Sequence, residues 1–87
     1  MSKQLPKWFE GTAFTHGGVV TNPYSGESAE LDSVELTMYN RIMELQTKID
    51  RNGGVFNPAT APFQKLMARD LSWFRNNNAE AYMTLLD

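Results

Sequence analysis

LDSVELTMYNRIMELQTKIDRNGG, residues 31–54, decides the fold, because it carries both the start and the stop signal of one long helix. Asp32 can cap the helix, and Glu35 three residues later completes a capping-box spacing. Residues 52–54 (NGG) tolerate the left-handed conformation in which helices end. Apolar residues recur between these ends at helical spacing, whereas Thr37 falls on the opposite, polar face. The predicted apolar face holds Val34, Met38, Tyr39, Ile42, Leu45 and Ile49.

The residues after this helix predict two more helices. Asn57-Pro58 and Ala61-Pro62 each place a proline where a helix can begin, so the second helix starts at one of them. Asn76-Asn77-Asn78 ends it, and a short helix follows from about residue 79 to residue 86. Two long amphipathic helices joined by a short loop pack antiparallel.

The first third of the chain predicts a hairpin that follows an irregular segment. Residues 19–21 are β-formers, residues 22–26 (NPYSG) are typical of a turn, and residues 27–31 alternate polar and apolar. Residues 1–16 form an irregular, aromatic-containing N-terminal segment, and residues 17–87 form a single small domain. The predicted class is α+β, mostly α, with a β-hairpin, two antiparallel amphipathic helices and a short C-terminal helix.

The amino-acid composition disfavours several classes of function. The 87 residues fit one domain, and 41% of them are hydrophobic, so the chain can build a modest core. A net charge of −2 without a basic run does not favour nucleic acid as a partner. The chain contains no cysteine, no membrane-length apolar segment and no signal-peptide pattern. We therefore expect a cytoplasmic protein that does not bind membranes.

No pattern in the sequence predicts a catalytic, metal or cofactor site. His16 is the only histidine, and it stands beside two glycines in a segment where a general base would not be held rigidly. The glycines of residues 11–26 match neither nucleotide-binding spacing. The sequence predicts no enzyme, no cofactor and no metal.

Asp70 is the most informative polar residue, because it falls inside the apolar face of the second long helix. A carboxylate in that position must be paired, hydrogen-bonded or protonated. Arg41, His16, the indole of Trp8 or a helix N-terminus could supply the donor. A structural anchor is the favoured interpretation, and a general base with a raised pKa is the alternative.

Four aromatic residues are candidates for contact with a partner, since Trp and Tyr are enriched at interface hot spots. They are Trp8, Phe9, Tyr24 and Trp73. For the N-terminal rings we expect folding back onto the domain, because their burial stabilises a small core.

Two phrases of the sequence resemble short uncharacterised proteins of tailed phages, especially marine cyanophages. The first is GVVTNPYSGE, residues 18–27, with Leu31, Leu36 and Tyr39, and the second is WFR, residues 73–75, with YMTLLD, residues 82–87. The resemblance covers about residues 17–87 and carries no catalytic residue. It implies a phage accessory protein that acts in the host cytoplasm.

These observations favour a non-enzymatic protein that binds a protein partner, with a host factor as one candidate. A self-associating structural or virion component, a homo-oligomer, is the first alternative. A small-ligand binder or enzyme centred on Asp70 is the second.

Overall fold

The computed structural model describes residues 4–9 and 11–86 and confirms the predicted class, a hairpin followed by three helices. Residues 4–9 and 11–17 contain neither helix nor strand. The elements in chain order are β1 (Gly18–Thr21), β2 (Ser28–Leu31), α1 (Ser33–Arg51), a 3₁₀ turn (Pro58–Thr60), α2 (Ala61–Asn77) and α3 (Ala79–Leu85).

The predicted capping box is present at the start of α1. The Glu35 N–H donates to Asp32 Oδ1 at 2.8 Å, and the Asp32 N–H donates to Glu35 Oε1 at 3.0 Å. Two of the N–H groups that a helix start leaves unpaired are thereby satisfied. The start of α1 lies where the sequence placed it.

The predicted stop after α1 is also present. The Gly54 N–H donates to Ile49 O at 2.8 Å, and Gly53 and Gly54 both have positive φ. Gly53 has φ 103°, a conformation that L side chains rarely adopt, and a Cβ there would also lie 2.6 Å from Asn57 Nδ2, so glycine is favoured. The chain can therefore reverse within a few residues and enter α2.

Both of the starts that the sequence offered for the second long helix, Asn57-Pro58 and Ala61-Pro62, are present in the structure. Asn57 Oδ1 accepts the Ala59 N–H at 3.0 Å and caps the 3₁₀ turn, which has Pro58 at its first position. The chain then continues directly into α2, with Pro62 in the first turn. Asn78 ends α2 and caps α3, since its Oδ1 accepts the Ala81 N–H at 3.1 Å.

The hairpin pairs β1 and β2 antiparallel, with Gly18 opposite Leu31 and Thr21 opposite Ser28. Asn22 organises its turn, because the Asn22 N–H donates to Glu27 O at 2.8 Å. Asn22 Nδ2 also donates to the carbonyl oxygen of Thr84 at 3.0 Å. This bond attaches the hairpin to α3, which a lone two-stranded hairpin needs for stability.

The core lies between the hairpin and the three helices. Its buried apolar side chains are Leu31, Met38, Ile42, Leu45, Ile49, Phe74, Ala81 and Leu85. Four of the six predicted core residues of α1 are among them, whereas Val34 and Tyr39 are half-buried.

Thr37, predicted on the polar face, is buried, because residues of the N-terminal segment cover it. Its Oγ1 accepts the Phe14 N–H at 2.9 Å and donates to Ser33 O at 2.7 Å.

Glu35 joins the start of α1 to the junction of α2 and α3. Its side chain is 3% exposed, and Glu35 Oε2 accepts a hydrogen bond from Asn78 Nδ2 at 2.9 Å. One oxygen of this carboxylate therefore takes part in the cap of α1, and the other binds Asn78, the residue that caps α3.

We expect Glu35→Ala to lower the free energy of unfolding by about 2–3 kcal/mol, because it removes a helix cap and a charge-assisted hydrogen bond together. Urea denaturation measures the change. Glu44→Ala, on the exposed face of the same helix, is the control and should change stability by about 0.5 kcal/mol or less. Equal effects of the two substitutions would show that the Glu35 contacts do not stabilise the fold.

Candidate binding surface

Asp70 is buried inside the apolar face of α2, as the sequence predicts, with 0% of its surface exposed. Neither side-chain oxygen accepts a hydrogen bond in the described part of the chain. Arg69 Nε lies 3.6 Å from Asp70 Oδ1, which is an ion pair longer than a hydrogen bond. The carboxylate is therefore balanced by charge without being hydrogen-bonded.

The Arg69 guanidinium is held between Asp70 and the N-terminal segment. Its central carbon lies 3.8 Å from the centroid of the Trp8 ring, which is a close cation–π contact. The sequence placed Arg69 on the solvent face of α2, but the docked N-terminal segment covers part of its side chain. Trp8 thus acts on Asp70 through Arg69, and not through the indole N–H that the sequence suggested as a donor.

Burial raises the pKa of Asp70 above its ordinary value, and the charges of Arg69 and Arg41 oppose that rise. Arg41 was one of the predicted partners. His16, another, pairs instead with Thr15, its Nδ1 lying 2.8 Å from Thr15 Oγ1 in an exposed loop. A carboxylate with no exposed surface cannot touch a substrate in this conformation, so the geometry favours the structural interpretation of Asp70.

The N-terminal rings fold back onto the domain, as expected. Trp8 and Phe9 are half-buried and pack against the core, and the Phe9 N–H donates to Pro6 O at 3.0 Å. Trp73 is also half-buried and meets Phe74 edge-on, with ring centroids 6.4 Å apart. Three of the four predicted contact residues are thus engaged in packing, and their role in partner binding stays a prediction.

Tyr24 is the predicted contact residue that the fold leaves free. Its side chain is 97% exposed at the tip of the hairpin turn. It stands at the rim of a groove of about 420 Å³ between the hairpin turn and the three helices. The apolar part of the groove lining consists of Tyr39, Met43, Met67, Leu71, Leu85 and Leu86.

Sequence reasoning missed a second exposed ring, that of Phe56. It lies in the loop between α1 and α2 and is 96% exposed, beside the half-exposed Val55. The signal was available, since an apolar pair stands between Gly54 and Asn57-Pro58, where a short loop needs only turn residues. Two loops in the described part of the chain therefore carry an almost fully exposed aromatic ring, whereas the Phe14 ring is 44% exposed.

The described residues offer no other site of recognisable chemistry. No group of three His, Asp or Glu side chains among residues 4–9 and 11–86 could hold a metal ion. None of the helices in that part of the chain is long and apolar enough to cross a membrane.

We expect Asp70→Asn to change the pH dependence of stability. Because folding raises the Asp70 pKa above 3.8, the folded state binds more protons than the unfolded chain above about pH 4. The contribution of the neutral Asp70 carboxyl to the free energy of unfolding is fully present below the ordinary pKa of aspartate. It is lost as the pH rises through the raised pKa of Asp70 in the folded protein. The free energy of unfolding of Asp70→Asn minus that of the wild type should therefore increase as the pH rises above about 4.

Urea denaturation at a series of pH values measures this difference. Asp50→Asn is the matched control, since Asp50 is an exposed aspartate. A difference between Asp70→Asn and the wild type that stays constant with pH would contradict the argument.

No protein-family model, curated protein or solved structure matches the chain. Its function therefore has to be inferred from its own side chains.

Proposed function

We propose that this chain is a non-enzymatic protein-binding module whose contact surface is the groove beside Tyr24. The observation that carries the proposal is a fully exposed tyrosine at the rim of an apolar groove of about 420 Å³. Tyrosine offers a large apolar ring and a polar hydroxyl, which suits it to an interface that is partly wet.

The turn that carries Tyr24 is ordered by its own hydrogen bonds. Asn22 Oδ1 accepts the Tyr24 N–H at 2.9 Å, and the Gly26 N–H donates to Asn22 O at 2.9 Å. The ring therefore projects from a fixed backbone and loses little conformational freedom when a partner covers it. This preorganisation favours a binding role for Tyr24 over chance exposure.

The floor of the groove supports the same function. Met43 and Met67 line it together with leucines of α2 and α3. Methionine is unbranched and flexible, so such a floor can adjust to an apolar side chain from a partner. Asp50 at the groove edge is exposed and supplies a polar boundary.

We extend the proposal to the setting that the phage resemblance implies. The chain would act in the host cytoplasm as an accessory protein and change the activity of a host protein by binding it. Asp70 has no exposed surface, so the proposal assigns it no ligand and no reaction.

Affinity capture from a cyanobacterial lysate tests the proposal, with wild type, Tyr24→Ala and Phe56→Ala compared. Tyr24 and Phe56 are equally exposed aromatic residues in loops, so Phe56→Ala is a matched control. We expect a protein that wild type and Phe56→Ala both retain and that Tyr24→Ala loses. With that protein purified, Tyr24→Ala should weaken binding about ten-fold or more, as loss of an aromatic hot spot does.

Far-ultraviolet circular dichroism checks that each variant is folded. The same proteins captured by all three chains, with equal affinities, would contradict a binding surface at Tyr24.

A further inference from the structure

The sheet in the described part of the chain has two strands, so each strand has an edge that no other strand covers. The register fixes where the backbone groups point. Asn22 and Glu27 extend the pairing of β1 and β2, and the Asn22 N–H donates to Glu27 O at 2.8 Å. In an antiparallel pair, alternate residues direct their N–H and C=O toward the partner strand, and the residues between them direct theirs away. Counting from Glu27, the backbone groups of Ser28 and Glu30 point away from β1.

These outward-pointing groups of β2 have no partner in the described part of the chain. Neither the N–H nor the C=O of Ser28 or Glu30 is hydrogen-bonded to another group among residues 4–9 and 11–86. Proteins commonly block such an edge with proline, lysine or a bulge. The residues of β2 (SAEL) include neither proline nor lysine, and the register runs without a bulge. The edge is therefore open to pairing with a further strand.

A cleft of about 300 Å³ runs along this edge of β2. Ser28, Ala29 and Glu30 all line it, and β1 contributes none of its described lining residues. Successive side chains of a strand point to opposite faces of the sheet. Three consecutive lining residues therefore place the cleft at the edge of the strand and not over one face. The opposite wall is formed by α3, with Glu80 and Thr84 among its lining residues. A strand added to β2 lies between β2 and α3.

The turn of the hairpin and the start of α1 limit the length of the open edge. The Asp32 N–H, two residues beyond Glu30, donates to Glu35 Oε1 at 3.0 Å. The Gly26 N–H, two residues before Ser28, is bonded within the turn. The donors on either side of the open stretch are thus already used. Ser28 and Glu30 are separated by about 7 Å of strand, so only a short stretch of a partner can pair here.

The side chains of the cleft determine the charge that a bound segment needs. Glu30 and Glu80 are both exposed there, and none of the described lining residues is basic. Neither glutamate makes an ion pair within the described ranges. Lysine or arginine side chains of a segment would meet opposite charge in this cleft. The β2 strand of a second copy would instead bring another Glu30 beside these carboxylates, and like charges across a strand pair are destabilising. The edge therefore favours a basic segment of another protein over a copy of itself.

We infer that β2 binds an extended, basic segment of a partner protein as a third strand of the sheet. Backbone hydrogen bonds to Ser28 and Glu30 hold the segment, and its lysine or arginine side chains lie beside Glu30 and Glu80. The cleft shares no lining residue with the Tyr24 groove. The inference therefore does not rest on the function proposed for that groove.

Amide hydrogen exchange measured by NMR on the full chain tests the inference, with a short blocked peptide of alternating lysine and threonine as the probe. We expect the N–H groups of Ser28 and Glu30 to exchange about ten-fold more slowly when the peptide is near saturation, because they are then hydrogen-bonded. Val19 and Thr21 are the internal control, since their N–H groups point away from β2 at the other edge of the sheet. Their exchange rates should not change.

Two altered peptides separate backbone pairing from attraction of charge. In the first, alternate backbone nitrogens are methylated, which removes the donors and keeps the lysines. In the second, glutamate replaces lysine. We expect each change to weaken binding about ten-fold or more in a fluorescence-anisotropy titration at low salt.

A proline substitution tests the same edge from the side of the protein. Ser28→Pro removes an outward N–H and no hydrogen bond between the strands, which is where an edge strand tolerates proline. Thr21→Pro is the matched control at the β1 edge, because both variants lose the bond between Thr21 Oγ1 and Ser28 Oγ (2.7 Å). Ser28→Pro should bind the lysine–threonine peptide about five-fold more weakly, and Thr21→Pro as the wild type does. Circular dichroism checks folding, and the experiments on the wild type decide the matter if a variant unfolds.

Several results would overturn the inference. A wild type that does not bind the lysine–threonine peptide at about 5 mM excludes the site. Protection of Val19 and Thr21 in place of Ser28 and Glu30 would place the added strand on β1. Equal binding of the methylated peptide would show attraction of charge without strand pairing. Protection of Ser28 and Glu30 that rises with protein concentration in the absence of peptide would identify a second copy as the occupant.

Discussion

The hydrogen bonds of the Glu35 carboxylate are the constraint on which the rest of the structure depends. One oxygen closes the capping box with Asp32, and the other accepts from Asn78, which in turn caps α3. The start of α1 and the start of α3 are therefore held beside each other. Because β2 ends at Leu31 and the turn at Asn22 bonds to α3, the hairpin is held at the same place. The loop between α1 and α2 lies at the other end of the helical pair.

Asp70 is also a buried carboxylate, but its environment differs from that of Glu35. Glu35 is satisfied by hydrogen bonds, whereas Asp70 is balanced only by an ion pair at 3.6 Å and by the charge of Arg41. Desolvation without hydrogen bonds favours the neutral form, which is why the pKa of Asp70 is raised. The stacking of Trp8 on Arg69 links this charge balance to the docking of the N-terminal segment. The aromatic N-terminal segment is thus part of the fold, although residues 4–9 and 11–17 contain no regular element.

The two loops that carry the almost fully exposed rings of Tyr24 and Phe56 have a similar local arrangement. In each of them an asparagine side chain bonds to the backbone of a loop, and the neighbouring aromatic ring points into water. Order in the backbone combined with exposure of the ring lowers the entropy cost of binding. Their surroundings differ, since Tyr24 borders an apolar groove, whereas Phe56 is almost completely exposed.

The sequence by itself determined the hairpin, the capping box at Asp32, the stop at Gly53-Gly54 and the burial of Asp70, because these depend on neighbours within a few residues or on helical periodicity. The tertiary structure alone decided that Thr37 is buried and that Arg69 is the close partner of Asp70. Both outcomes depend on where the N-terminal segment docks, and that segment has no periodic pattern to reveal its position. The exposure of Tyr24 and of Phe56 was likewise decided in three dimensions. An aromatic ring in a loop is buried or exposed according to which distant residues reach it, and local sequence does not contain that information.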